Sequence, residues 1–149
     1  MNAVNPRDAI RPATTHPDPP IAVSTVDEVR LSRLATAAAR RDPEVAGLLL
    51  GEIDRARLLP PGKIPADVVA MHSHVEYRDA ATGATHRVQL VYPNEADIAS
   101  GRVSVLTLVG AALLGMAAGQ SILWPTLQGR ERMLFVLRVS PQPLEAAAA

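Results

Sequence analysis

Asp42 and Glu44 are the acidic residues of this sequence that are best placed to do chemistry. They flank Pro43, at a point where two predicted helices meet. Two carboxylates at such a projecting tip could hold a divalent cation. The same residues also form a helix start, with Asp as the N-cap, Pro at the first helical position and Glu in the first turn. Because this structural role accounts for all three residues, it is the favoured interpretation, and cation binding is the alternative.

Three histidines raise the question of a metal site. His72 and His74 lie two apart in a predicted strand and so share a face, which is one way to place two ligands. His86 comes from the return strand and is a third candidate. No acidic cluster with ligand spacing accompanies them. We therefore expect solvent-facing histidines, no metal and no bound cofactor.

The patterns for a nucleophile and for phosphate binding are also incomplete. Ser104 and Thr107 carry hydroxyl groups, but no nucleophile-elbow motif surrounds them and no His–Asp relay can be assigned. Gly110 and Gly115 have the spacing of a P-loop without the Lys-Ser/Thr that follows it. These residues therefore predict no catalytic site.

The overall composition narrows the class of protein. The formal net charge is zero, with 15 basic and 15 acidic residues, so no large field draws the chain to nucleic acid or membrane. The absence of cysteine excludes a disulfide scaffold and fits a reducing cytosol. The N-terminus has no apolar signal segment, and glycines interrupt the apolar run of residues 103–127. We expect a cytoplasmic protein without a membrane span.

The stretch of residues 90–122 is the predicted centre of the fold. Its pattern indicates a strand, a loop, a short strand, a short helix, a turn and another strand. Thr107 can cap the helix Leu108–Leu114, and Gly115 can end it. Since Gly110 and the two alanines after it leave one flank without bulk, we expect this helix to lie close against a sheet.

Two helices are predicted ahead of this stretch. The first runs from a cap at Thr25 to about Arg40, and its apolar side is formed by Val26, Val29, Leu34 and Ala37 or Ala38. The second runs from Pro43 to about Leu58. The connection between them is so short that they should form an antiparallel hairpin.

A basic face is predicted on the first helix. Arg30, Arg33 and Arg40 fall at helical spacing on a side other than the apolar one. A solvated basic face is the ordinary explanation. The alternative is a surface that meets nucleic acid or an acidic partner.

These elements together predict an α+β protein. Its strands come as hairpins, so the sheet should be mostly antiparallel, with a first long strand over Val68–Tyr77. The segments are a proline-rich disordered tail over 1–24, a helical hairpin over 25–59, a linker over 60–65, a sheet domain over 66–140 and a second tail over 141–149.

The sequence resembles the regulator of nucleoside diphosphate kinase family, whose members are relatives of the bacterial Gre transcript-cleavage factors. The resemblance covers about residues 25–140 and rests on the runs Met71-His-Ser, Leu90-Val-Tyr-Pro with Glu95-Ala-Asp97, Val103-Ser-Val and Val109-Gly-Ala-Ala-Leu-Leu-Gly115. It implies an N-terminal antiparallel coiled coil and an FKBP-like C-terminal domain, in which a mostly antiparallel sheet packs on one short helix.

The resemblance also implies a function. The protein would be a monomeric transcription regulator without catalysis of its own, binding bacterial RNA polymerase at the rim of its secondary channel and competing with other channel-binding factors. The acidic tip motif of true Gre factors is absent here. An active cleavage factor that uses Asp42 and Glu44 with Mg²⁺ is therefore the alternative.

One segment departs from the family pattern. Leu106, Thr107 and Leu108 align with the Asp/Asn-Ser-Pro run through which Gre factors contact the polymerase rim, and only Thr107 keeps the hydroxyl. A prolyl isomerase or chaperone-like binding module is a further alternative that the FKBP-like fold suggests. One Trp, two Tyr and one Phe provide little for the aromatic pocket of an isomerase.

Overall fold

The computed structural model describes residues 18–126 and 130–144. The first half forms a small two-stranded sheet and two helices, and the second half forms a five-stranded sheet with one short helix. In chain order the elements are β1 (Ala22–Ser24), α1 (Thr25–Ala38), α2 (Pro43–Arg55), β2 (Arg57–Leu59), β3 (His74–Asp79), β4 (Thr85–Val91), β5 (Arg102–Ser104), α3 (Leu108–Leu113), β6 (Ser121–Pro125) and β7 (Glu131–Ser140).

The predicted helical hairpin is present, and local capping explains where its helices begin. Asp42 caps α2 by accepting a hydrogen bond from the Val45 backbone N–H, with Pro43 as the first helical residue, so this prediction is confirmed. Helix α1 begins at Thr25, but its cap is Ser24, whose hydroxyl accepts from the Asp27 N–H at 3.0 Å. Helix α2 ends at Arg55, earlier than predicted, because the next residues form β2.

The buried face of α1 differs from the predicted one. Leu31, Ala35 and Ala38 are buried, whereas Val26 and Val29 are 44% and 46% exposed. At 100° per residue, the two valines lie on the side of the helix opposite Leu31. Packing against the rest of the chain selected the stripe of Leu and Ala, and the β-branched residues were left at the surface.

Residues 22–24 were predicted to belong to a disordered tail, and they instead form β1. This strand pairs in parallel with β2, so that Val23 lies opposite Leu58. Ile21 and Val23 are buried. The apolar pattern of three residues is too short to predict a strand, and the pairing partner lies far along the sequence. Residues 1–17 of the predicted tail lie outside the described residues.

The main sheet confirms the predicted α+β class. Its strand order is β5-β4-β3-β7-β6, and all pairs are antiparallel except β4 with β5. Strand β3 begins at His74 rather than at Val68, because the residues before it form turns that are tied to the end of α3. Val69 donates to the Met116 carbonyl and accepts from the Gly115 N–H, both at 2.8 Å.

Helix α3 lies close against β5 and the residue that follows it, as its small residues predict. An ideal Cβ built on Gly110 would overlap the Ser104 carbonyl oxygen and lie 2.9 Å from Val105 Cα. Ala111, Ala112 and Leu113 are all fully buried. The same hydrophobic cluster includes residues of the helical hairpin and of the sheet, so the described chain has a continuous core.

Replacing Gly110 with alanine should therefore be among the most damaging single-methyl additions in this protein. The new methyl group has only backbone to displace, so we expect Gly110→Ala to lose about 3 kcal/mol of unfolding free energy or to fail to fold. Gly62→Ala is the matched control, because a Cβ there meets nothing within 4 Å. Urea denaturation of both variants tests this, and equal stabilities would contradict the close packing.

The outer face of the sheet carries a charge network around Glu76. Its carboxylate accepts two hydrogen bonds from Arg138, at 3.1 and 3.0 Å, and one from Arg87 at 2.8 Å. These hydrogen bonds, first that of Arg138 and then that of Arg87, lower the pKa of Glu76 from 4.5 to about 2. The three residues join β4, β3 and β7 across the sheet.

The Glu76 network should make stability depend on pH in one direction. Because the folded pKa is depressed, the stabilisation is present above about pH 4.5 and is lost as the pH falls toward 2. Both arginines are about two-fifths exposed, so we expect Glu76→Gln to cost only about 1 kcal/mol near neutral pH. Chemical denaturation at several pH values tests this, and a difference that stays constant down to acid pH would contradict it.

Candidate functional site

The tip of the hairpin presents Asp42 and Glu44 to solvent. Both residues are exposed, and the Asp42 carboxylate is used as the cap of α2. Within residues 18–126 and 130–144, no group of three or more His, Asp or Glu side chains is placed to hold a metal ion. The geometry thus accounts for Asp42 as a structural residue.

The arginines near the turn of the hairpin differ from four arginines of the sheet half in their partners. Arg87, Arg102, Arg132 and Arg138 each form an ion pair with a carboxylate of the sheet half. In contrast, Arg33, Arg40 and Arg41 are exposed and form no ion pair among the described residues. The hairpin therefore carries exposed arginines that form no ion pair among the described residues, and the exposed carboxylates of Asp42 and Glu44 lie at the turn beside Arg40 and Arg41.

The segment before α3 is held by its own hydroxyl groups. Thr107 caps the helix by accepting from the Gly110 N–H at 3.0 Å, and its hydroxyl donates to the Ser104 carbonyl at 2.7 Å. The Ser104 hydroxyl accepts from the Leu106 N–H at 3.0 Å. Both hydroxyls serve local structure, so neither is set up as a nucleophile. Thr107 is exposed, and Leu106 and Leu108 are half-buried beside it.

The structure separates the three histidines that were considered as metal ligands. His72 and His74 do not share a strand face, because His72 lies before β3 and has a φ of +72°. His86 is on β4 and stacks on Tyr77, with 5.1 Å between ring centres. The expectation that His72 and His74 share a strand face is therefore wrong. Its cause is the turn at residues 70–73, closed by the Ser73 N–H and the Ala70 carbonyl.

His72 belongs instead to a cluster with Tyr92 and Glu95 that the sequence did not predict. Its Nε2 lies 2.9 Å from Glu95 Oε1, and its ring meets that of Tyr92 edge-on at 5.8 Å. Glu95 also accepts from the Tyr92 N–H at 3.2 Å. The hydrogen bond with His72, followed by that from the Tyr92 backbone, lowers the pKa of the Glu95 carboxyl.

This cluster reaches the helical hairpin through Tyr92. Burial raises the pKa of the Tyr92 phenol, the nearby Asp27 carboxylate adds to the rise, and Arg30 acts in the opposite direction. Asp27 and Arg30 are residues of α1, so Arg30 lies at the junction with the sheet rather than with the free arginines nearer the tip. The sequence indicated one part of this arrangement. In the turn at Pro93–Glu95, the Glu95 carboxylate comes three residues after Tyr92 and can accept a hydrogen bond from the Tyr92 N–H.

Known proteins resemble both halves of this chain. The family model of the transcription elongation factor GreA/GreB C-terminal domain matches residues 64–141, and that of the Rnk N-terminus matches residues 19–59. The regulator of nucleoside diphosphate kinase of Escherichia coli K12 is 37% identical over 129 residues, which cover 87% of this chain and 94% of that protein. The chain belongs to the regulator of nucleoside diphosphate kinase family.

The Gre factors are more distant relatives of this family member. Transcription elongation factor GreA of Christiangramia forsetii is 33% identical over 85 residues, covering 52% of this chain and 54% of that protein. Among solved structures, a GreA/GreB transcription elongation factor from Nitrosomonas europaea has a TM-score of 0.64 and 32% identity, covering 80% of this chain and 98% of that one. The described residues contain no helix that is long and apolar enough to cross a membrane.

The positive φ of His72 predicts that its backbone conformation is strained. A left-handed conformation costs a residue with a Cβ about 1 kcal/mol, and glycine avoids that cost. Both His72→Gly and His72→Ala lose the contact with Glu95, so their difference isolates the backbone. We expect His72→Gly to be the more stable of the two by about 1 kcal/mol in urea denaturation.

His86 supplies the matched control for this comparison. It lies within β4, where glycine weakens a strand, so His86→Gly should be less stable than His86→Ala. The same order at both positions would contradict the strained conformation of His72.

Proposed function

We propose that this protein is a transcription regulator that binds RNA polymerase at the rim of the secondary channel and acts without catalysis of its own. The sheet half would dock at the rim, and the helical hairpin would point into the channel. Membership of the family and the likeness to Gre factors support this assignment. The regulator would act by occupying the channel and by competing with other factors that enter it.

The observation that carries the proposal is the set of exposed arginines on the hairpin that form no ion pair among the described residues. Arg33, Arg40 and Arg41 have no carboxylate partner among the described residues, although four arginines of the sheet half are paired. Holding unpaired charges together is favourable only if an anionic partner or solvent neutralises them. Phosphates of nucleic acid inside the polymerase, or acidic residues of the channel wall, have the required charge.

The size of the hairpin and the role of Asp42 support a regulator rather than a cleavage factor. Helix α1 has 14 residues, which at 1.5 Å per residue gives an arm of about 21 Å. The Asp42 carboxylate caps α2, so a metal ion at the tip would compete with that hydrogen bond. Leu106, Thr107 and Leu108, exposed or half-buried at the start of α3, are the proposed contact with the rim.

Binding to core polymerase should weaken when the hairpin loses its free charges. We expect the double variant Arg33→Ala/Arg40→Ala to bind about 3- to 10-fold more weakly and with a shallower dependence on salt, since each exposed charge contributes at most about 1 kcal/mol. Arg57→Ala is the control, because Arg57 is also exposed but lies at the base of the hairpin. Titration of fluorescently labelled protein with polymerase measures both quantities.

Two experimental results would contradict the proposal. If the native protein is not retained by polymerase at micromolar concentration, the assignment fails. If it shortens transcripts in backtracked complexes, and Asp42→Ala/Glu44→Ala abolishes the shortening, the protein is an active cleavage factor. We expect binding without shortening.

A further inference from the structure

The short segment that precedes α1 touches both halves of the protein. Residues 19–24, which we call the clasp, lie between the base of the hairpin and the end of α3. Pro19, Ile21 and Val23 are buried. A short segment ahead of the first helix is expected to fray unless it is tied down, and the clasp is bonded on two sides.

On the hairpin side, the clasp is bonded to α2 and β2. The Arg57 N–H donates to the Ile21 carbonyl at 2.9 Å and begins the parallel pairing of β1 with β2. Arg55 donates to the Pro19 carbonyl at 2.5 Å through Nη1. Its Nε and Nη2 donate to the two carboxylate oxygens of Glu52, at 2.9 and 2.8 Å, and Glu52 is only 1% exposed. The buried pair thus fixes the direction in which Arg55 points.

On the sheet side, the clasp is bonded to the chain that leaves α3. The Ala22 N–H donates to the Gly115 carbonyl at 3.1 Å, and Gln120 Nε2 donates to the Pro20 carbonyl at 3.0 Å. Gly115 has a φ of +80°, and an ideal Cβ there would lie 3.0 Å from both the Ala22 carbonyl oxygen and Ile21 Cβ. Glycine at this position therefore permits both the turn and the close approach of the clasp.

Apart from the approach of Asp27 and Arg30 of α1 to Tyr92, the other connections between the halves are poorly suited to set an angle. The linker after β2 is largely exposed around Pro60, Pro61 and Gly62. Helix α2 packs on α3, but the middle of α3 is formed by Gly110, Ala111 and Ala112, and the hydrophobic attraction between apolar surfaces is non-directional. Hydrogen bonds are directional, and those of the clasp connect the base of the hairpin to the sheet half at opposite sides of one short segment.

We propose that the clasp fixes the direction of the hairpin relative to the sheet, with Arg55 and Gly115 as its positioning residues. This inference rests on the proposed function for its consequence, because a hairpin that enters a channel must leave the docked sheet half at a defined angle. Neither residue needs to touch the polymerase. Each acts through the backbone of residues 19–22.

The absence of cysteine from the sequence allows a direct measurement of the angle. Spin labels on Glu44→Cys, near the hairpin tip, and Leu137→Cys, in β7, report the distance from hairpin to sheet in the free protein. Both positions are exposed. We expect a single narrow distance distribution in the otherwise native chain and a shifted or broadened one with Gly115→Ala.

Gly83→Ala is the matched control for the glycine substitution. Gly83 has a φ of +72°, so alanine there suffers the same backbone strain, but its Cβ would meet nothing within 4 Å. This variant should keep the narrow distribution. Fluorescence of the buried Trp124 and the helical circular dichroism signal should be unchanged in every variant that is scored, which separates reorientation from unfolding.

Arg55 provides an independent test of the same inference. Arg55→Ala removes the bond to Pro19 but leaves Glu52 buried beside it, which is strongly destabilising. Gln120→Ala removes the bond to Pro20 together with the bond that its Oε1 accepts from the Ala117 N–H, and it covers the case in which Arg55→Ala does not fold. Arg55→Lys keeps a cation near Glu52 and should restore part of the native distribution.

The outcomes separate this inference from the proposed function. If the folded Gly115→Ala and Gln120→Ala variants keep the native distance distribution, the clasp does not set the angle and the inference is overturned. If the distribution broadens as expected but the native protein does not bind polymerase, only the proposed function fails.

Discussion

The close approach of α3 to the sheet is the constraint on which the rest of this structure depends. Gly110 leaves no room for a side chain above the Ser104 carbonyl, and Ala111 and Ala112 are fully buried. A helix of six residues has little apolar surface of its own, so it becomes stable only when it is enclosed. The sheet encloses one side of it and α2 packs on it as well, which makes this short helix the centre of both halves.

The two ends of α3 extend this constraint to the functional surfaces. At its start, the hydroxyls of Ser104 and Thr107 hold the segment that is proposed to meet the polymerase rim. At its end, Gly115 turns the chain and receives the clasp. A shift of the helix would thus alter the rim segment and the base of the hairpin together, because backbone hydrogen bonds connect all three.

Ion pairs distinguish the sheet from the hairpin. The sheet neutralises several of its own charges, as the network around Glu76 illustrates, and these pairs contribute to strand pairing. Arg33 and Arg40 of the hairpin have no such partner among the described residues. Charges that are paired internally stabilise the fold, whereas exposed charges without an ion pair on the hairpin are available to another molecule.

The sequence by itself determined the local features of this protein. The hairpin, its turn at Asp42 and Pro43, the mostly antiparallel sheet and the small flank of α3 all follow from caps, periodicity and residue size, which act over a few residues. Family membership followed in the same way from contiguous runs of residues. Tertiary structure decided which side of α1 is buried, the pairing of β1 with β2, and the cluster of His72, Tyr92 and Glu95. These features join residues that lie up to some 35 positions apart, as β1 and β2 do, and no local propensity records such a partner. These features form only when the whole core packs.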